Sequence, residues 1–319
     1  MNVLHIRSLK NQASGILEQT NYSRLVMLHA LVSFGTALLI VFLQVLLNVT
    51  ASNDAGLSGM GTSAVFMTAK STLAAITNLL LPFWEIGILY TSLRVMRRQD
   101  TQFSQLAQGF RRFGPVLRYY LLLIVLYFGL AMVLSNFMPV LLMLFPIPAA
   151  LENALAAIDP ASVTDPVALL QQIPQEQLMA YMLPICVIFM LIYGAVLILV
   201  AYRFRMSQYL LMDEPAANAL PSLLASNHMT NGHKWNLFKL DLSFWWYYGL
   251  LFAAALISVG PELLTLAGVQ VSGQLALLLF QVLSTAASVA IVWKFGGYVQ
   301  LTYACAYDRL RTPPQDNTI

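Results

Sequence analysis

The chain has 319 residues, 59% of them hydrophobic and 10% charged, with a net charge of +3 and a mean hydropathy of +0.70. A soluble domain carries about 25% charged residues, so a water-soluble fold of this composition would expose large apolar patches and aggregate. The length would hold about two soluble domains, but the apolar residues fall in long runs of the kind that lipid solvates.

Residues 1–24 are mostly polar and carry Arg7, Lys10 and Arg24, which reads as a cytoplasmic amphipathic segment. The apolar run that follows is too long for the core of a cleavable signal and reads as an uncleaved first span. A helix needs about 20 apolar residues to cross the hydrocarbon core. Six stretches qualify: 25–49, 73–96, 116–145, 179–202, 244–269 and 275–303. The third is long enough to tilt or to kink at Pro139, and the fifth contains Gly260 and Pro261. No stretch shows the alternation of a membrane β-barrel, and backbone satisfaction in lipid then requires helices.

Lys and Arg beside the spans set their orientation. The second connection holds Arg94, Arg97, Arg98, Arg111, Arg112 and Arg118, and the fourth holds Arg203, Arg205, Lys234 and Lys239. Arg309 and Arg311 follow the sixth span, with Lys294 just inside it. The other side is nearly bare. The first connection has only Lys70, the third has Glu152, Asp159, Asp165 and Glu176 but no Lys or Arg, and the fifth has only Glu262. The expected fold is all-α: a polytopic membrane helical bundle of six spans over 25–305, both ends cytoplasmic, with short amphipathic interface helices and a cytoplasmic tail over 306–319.

In the second connection Asp100 or Thr101 is placed to cap a short helix. Phe103, Leu106 and Phe110 recur at helical spacing and form one apolar stripe. The segment reads as a helix lying at the headgroups, with Arg97, Arg98, Arg111 and Arg112 facing anionic lipid. In the fourth connection Pro221 opens a helix and Gly232 ends it as a left-handed cap. Trp235, Phe238, Leu242 and Trp246 then share a face, and Trp245 to Tyr248 form an aromatic belt before the fifth span. The two connections share a plan of arginines, amphipathic turn, glycine and basic-aromatic patch. That plan fits an internal repeat, but it fits two independent cytoplasmic interfaces better, since any such interface selects basic and aromatic residues and the two connections differ in length.

Ser226, Met229, Gly232, His233, Lys234, Trp235, Phe238, Asp241, Ser243 and Phe244 form a block in the fourth connection. It resembles the signature of the bacterial integral membrane family known as domain of unknown function 975. Further pieces are similar in the same order: Arg7 to Leu17 with Lys10 and Ala13; Gly87 to Tyr90; Leu106, Gly109, Phe110 and Phe113; Tyr202, Met206, Tyr209 and Asp213; Tyr298 and Thr302; Tyr307, Asp308 and Leu310. The chain departs from the pattern at 48–72 and 146–178. The resemblance implies a polytopic protein of the bacterial plasma membrane. It implies no reaction, substrate or catalytic residue.

Glu85 falls near the middle of the second span, where a carboxylate marks a functional site by default or else packs in protonated form against a neighbouring helix. Asn136, just before Pro139, either satisfies a kinked backbone or contributes to a polar site. Lys294 reads as a snorkelling side chain, and His29 as a neutral, hydrogen-bonded ring. Asp241 and Ser243 either cap a helix or lie in a continuous one. His228 and His233 have no Asp, Glu or Cys to complete a ligand set, so neither a metal nor a cofactor is expected. Phosphate-loop, HExxH and GxSxG patterns are missing from the sequence. The expected partners are the bilayer, its anionic cytoplasmic headgroups and a second membrane protein, with no nucleic acid. Three functions fit in descending order: a non-enzymatic structural, assembly or export-accessory component; a transporter with a midplane site at Glu85; and a lipid-acting enzyme.

Overall fold

The computed structural model describes residues 4–53, 61–146, 152, 175–214, 217–266 and 274–312. Asp159, Asp165, Pro215 and most of the third connection lie outside the described residues, as does the side chain of Lys70. Every described element is a helix. They are α1 (Ile6–Gln19), α2 (Tyr22–Asn53), α3 (Gly61–Met96), a 3₁₀ turn (Phe103–Ala107), α4 (Gln108–Arg111), α5 (Phe113–Ser135), α6 (Phe137–Leu144), α7 (Gln175–Phe204), α8 (Ser207–Asp213), α9 (Ala219–Met229), α10 (Lys234–Leu242), α11 (Trp245–Ser258), α12 (Gly260–Leu266), α13 (Gln274–Ile291), a π-turn (Val292–Gly296) and α14 (Gly297–Arg311).

Among the described residues, five stretches are long and apolar enough to span a membrane: Tyr22–Leu43, Ser71–Met96, Phe113–Leu144, Leu178–Asp213 and Leu278–Arg311. The expected fifth span is built differently. α11 has 14 residues, about 21 Å of rise, against a hydrocarbon core of about 30 Å. It reaches spanning length only together with α10, from which it is bent by 57°. The count is therefore five, or six with the bent pair taken as one span.

The chain divides into two compact units, one of Met1–Tyr119 with Arg203–Ile319 and one of Tyr120–Tyr202. In the second unit, α5 ends at Ser135 and α6 begins at Phe137. Asn136 N–H bonds the Val133 carbonyl at 3.3 Å, and its side-chain Nδ2 donates to the Met132 carbonyl at 2.6 Å in its place. Tyr181 Oη donates to the carbonyls of Leu142 (3.3 Å) and Phe145 (3.1 Å), tying α7 to the end of α6. Many of this unit's described Leu, Ile, Val, Phe and Met side chains are exposed, and only lipid or another apolar surface solvates them well.

The first unit changes character along α3. Ile76, Leu79 and Leu80 are exposed, whereas Phe83, Ile86, Ile88, Thr91, Ser92, Leu93, Val95 and Met96 are buried. The same shift occurs between α13, with exposed Leu279, Val282 and Leu283, and α14, in which Leu301 to Tyr307 are all buried. α1 lays Leu9, Ala13 and Ile16 inward and packs on α14. The amphipathic N-terminal helix thus spends its apolar stripe on protein. The sixth helix continues as structured helix to Arg311, past the expected boundary at 303.

The second connection also packs on protein. No side chain caps its 3₁₀ turn, and the segment doubles back along α3. A Cβ on Gly87 would overlap the carbonyl of Leu106, and one on Gly109 would overlap the carbonyl of Phe83. These two glycines let the backbones meet in a reciprocal contact that no other residue permits. α3 ends with Arg98 at φ 55°. Its N–H and that of Gln99 donate to Val95 and Arg94 at 2.9 Å, the closing pattern in which glycine is usual.

Gly87→Ala or Gly109→Ala should cost more than about 2 kcal/mol, because a fixed carbonyl oxygen and not a flexible side chain must yield. Gly15→Ala meets nothing within 4 Å and should be neutral or add about 0.5–1 kcal/mol as a helix-interior replacement. Thermal denaturation of the detergent-solubilised variants measures both, and equal melting temperatures would contradict the reciprocal contact.

Candidate functional site

The described carboxylates that sit within the protein gather where α3, α8, α10 and α14 end or begin. Asp213, the last residue of α8, has a side chain only 5% exposed. Arg97, just beyond α3, grips it with both guanidinium nitrogens, one of them at 2.9 Å from Oδ2. Arg311, at the end of α14, pairs with the same carboxylate and reaches Glu214 at 3.2 Å. Tyr307 Oη donates to Asp213 Oδ2 at 2.9 Å, and its ring stacks on Tyr209 with centroids 5.3 Å apart. Asp308 adds a looser contact to Arg97 at 3.5 Å. One carboxylate thus holds the ends of three helices with charge-assisted hydrogen bonds.

A second carboxylate fixes the bend before α11. Asp241 accepts from Arg205 at 3.0 Å and from the Tyr303 hydroxyl. The Arg205 guanidinium lies 4.7 Å from the Tyr303 ring centroid, and Tyr303 contacts Tyr248 through hydroxyls 3.1 Å apart. Neither Asp241 nor Ser243 caps α11; its N-cap position is Phe244, with no side-chain bond. Ser243 Oγ closes on the Leu240 carbonyl at 2.6 Å, and its own carbonyl accepts from Lys10 Nζ at 2.9 Å. Lys10 also lies 4.2 Å from the Phe244 ring centroid, and burial pushes its pKa below the usual lysine value.

The other residues of the fourth-connection block divide into inward and outward sets. Ser226 is fully buried. Its hydroxyl accepts from the Met206 N–H at 3.2 Å and donates to the Arg203 carbonyl at 3.0 Å, so it closes the end of α7 together with Thr230. Gly232 has φ 79°, as its left-handed role requires, but stands three residues past the last residue of α9. Met229 is half-buried. His233 stands at the N-cap of α10, and its Nδ1 has no hydrogen-bond partner among the described residues. Lys234 is half-buried. Trp235 is 64% exposed and stacks on Phe238 at 5.0 Å, with Lys239 above its ring.

The four arginines expected at the headgroups also divide. Arg97 belongs to the Asp213 cluster. Arg112 donates to the carbonyls of Leu211 (2.5 Å) and Ala217 (3.2 Å). Arg98 and Arg111 are exposed, and no partner is seen for either among the described residues. Glu85 lies two residues beyond Phe83, on the outer side of α3, with no hydrogen bond or ion pair among the described residues. His29 stacks on Trp84 with centroids 5.6 Å apart, while its Nε2 is buried with no hydrogen-bond partner among the described residues. No group of three His, Cys, Asp or Glu side chains suited to a metal occurs among the described residues.

Fold and clasp together define a helical protein with several helices apolar enough to span a membrane. The chain belongs to the family described as Protein of unknown function (DUF975), which matches residues 9–313. No curated protein and no solved structure matches the chain. The family-like pieces noted in the sequence fall in the first unit, apart from Tyr202, the last residue of the second. The Arg205–Asp241–Tyr303 and Arg97–Asp213–Arg311 sets are legible only in the structure, because each joins residues more than 30 positions apart.

Asp213→Ala should destabilise by about 3 kcal/mol, the order for breaking a buried pair, tempered because both arginines keep roughly a third of their surface exposed. Asp308→Ala should cost less than about 1 kcal/mol. Melting curves of the two variants in detergent separate the roles; equal effects would remove Asp213 from the centre of the clasp.

Proposed function

We propose that the protein is a non-enzymatic component of the bacterial plasma membrane with a structural, assembly or export-accessory role. In this reading both ends and the clasped platform face the cytoplasm. The platform comprises α1, the last turns of α3, the second connection, α8 to α10, and α14. The observation that carries the reading is the division of side chains on this platform. The carboxylates Asp213 and Asp241 and their arginines turn inward and hold helices, which leaves them engaged in structure. The outward face instead presents Trp235, Leu242 and Trp245, each more than half exposed, beside Lys239. Large exposed aromatics with cations mark attachment surfaces, to the bilayer interface and to protein partners alike.

The second reading, a transporter using Glu85, draws on one observation: an acid without a partner on the outer face of an apolar helix. α3 has 36 residues, about 54 Å of helix, well beyond the hydrocarbon thickness. Its turns from Ile86 onward are enclosed by protein. Glu85 falls near the middle of the Ser71–Met96 stretch, at the point where enclosure of α3 by protein begins. A proton-coupled role needs a partner group for this acid, and none is seen among the described residues.

Three measurements test this. A reporter inserted at position 160 should be active outside the cytoplasm and one at position 319 inside; a cytoplasmic signal at 160 would overturn the topology. Photo-crosslinkers at positions 235 and 245 should trap a membrane-protein partner, and Trp235→Glu should abolish the adduct while the melting temperature holds. Glu85→Gln should leave solute flux into proteoliposomes unchanged; a lost proton-coupled flux would restore the transporter.

A further inference from the structure

Between α2 and α3 lies a half-open slot of about 220 Å³, lined by Val32, Ser33, Thr36, Leu80, Trp84 and Phe110 among others. Its walls are chiefly apolar. It exceeds the ~150 Å³ apolar cavity that takes up benzene, so it has room for a length of hydrocarbon chain. Both helices are candidate spans, and under the membrane reading acyl chains surround the slot.

The slot is not wholly greasy. Ser33 Oγ, on its wall, is buried and has no hydrogen-bond partner among the described residues. His29 Nε2 is in the same condition. The two residues are four apart and therefore share one face of α2. His29 stacks flat on Trp84 at 5° between planes, and Trp84 is itself a wall residue. Buried polar atoms in native proteins have partners, protein or bound, so an orphan hydroxyl on the wall, with an orphan imidazole one turn away along α2, calls for a ligand with a polar group at that level. A water alone needs two to four polar partners, and the apolar walls offer few.

The third observation is charge. Phe110 is followed directly by Arg111, which is exposed and has no partner among the described residues, unlike its neighbour Arg112. A cation thus follows in sequence a wall residue of an apolar slot whose wall carries an unsatisfied hydroxyl, with an unsatisfied imidazole one turn away on α2. Hydrocarbon, then a hydrogen-bonding linkage, then an anion is the chemical order of a phospholipid.

We propose that this slot holds one acyl chain of a phospholipid, whose ester group meets Ser33 and His29 and whose phosphate sits against Arg111. The site is independent of the partner surface at Trp235 and Trp245, so its failure leaves that reading untouched. The ester carbonyl accepts from the Ser33 hydroxyl, and the phosphate takes a charge-assisted bond from Arg111. A fatty acid offers the chain without the phosphodiester, and inorganic phosphate offers the anion without the chain.

The test uses the full-length protein, purified and delipidated in detergent, then titrated with phosphatidylglycerol and examined by native mass spectrometry and thermal melting. The unaltered protein should retain one phospholipid and melt higher with it. Thr36→Phe, which fills the slot, and Arg111→Gln should each weaken retention about tenfold, the order expected for loss of a principal contact. Arg98→Gln, an exposed arginine outside the slot, should change nothing. If Thr36→Phe fails to fold, Ser33→Ala serves in its place with a smaller, several-fold loss. Undiminished retention in the slot variants overturns the proposal. So does equal stabilisation by inorganic phosphate alone or by fatty acid alone. A dimer that Thr36→Phe dissolves would assign the slot to a second copy and overturn it as well.

Discussion

A carboxylate taken out of water must find donors enough to replace its hydration, and Asp213 finds them in Arg97, Arg311 and Tyr307. Those donors come from the ends of different helices, so satisfying one acid fixes the relative height of α3, α8 and α14. The constraint is geometric more than energetic. A buried ion pair seldom outperforms apolar packing in net stability. Its use here is to make wrong helix registers expensive, since a one-turn slip of α14 would strand Asp213 without Arg311 and Tyr307.

The reciprocal glycine contact works at the same level by the opposite means. Gly87 against Leu106 and Gly109 against Phe83 bring two backbones together where side chains would hold them apart. Above this contact α3 exposes Leu79 and Leu80, and below it α3 is enclosed. One helix therefore serves two environments, and α13 running into α14 does the same through a π-turn at Val292–Gly296. π-turns are found where a helix must re-aim its side chains, and here the turn separates a helix of exposed leucines from one that is buried almost throughout.

Hydropathy made the helical class and most of the spans legible, because apolar runs of about 20 residues carry their own explanation. It misled at the ends of those runs. A window of apolar residues does not distinguish a helix solvated by lipid from one enclosed by other helices, and α14 and the end of α3 are of the second kind. Glu85 does fall near the middle of the Ser71–Met96 stretch, and it also lies next to the turn where enclosure by other helices begins, which hydropathy does not show. The second connection misled for a related reason. Phe103, Leu106 and Phe110 are spaced as an amphipathic surface helix would be, but Leu106 is fully buried, and the glycines that allow this are informative only once their neighbours are known. Arg97 and Arg98 are adjacent and chemically identical; only the position of Asp213, more than a hundred residues away, makes one a clasp and leaves the other exposed.

The bend before α11 shows how the same logic sets the number of spans. Asp241 is one residue from the end of α10 and takes both Arg205 and Tyr303. Were α10 and α11 one straight helix, Asp241 would be carried along an apolar rod with Trp245 and Phe252, and Arg205 would lose its counter-charge. The 57° turn lets Asp241 stay with its partners while α11 leaves toward α13, against which it packs. Lys10 of α1 reinforces the corner from outside, through the Ser243 carbonyl and the face of Phe244. The polar corner thus holds α10 out of line with the apolar helix that follows it. It also leaves Trp235 and Leu242 uncovered, so the contacts that bend the chain also expose the surface proposed here for attachment.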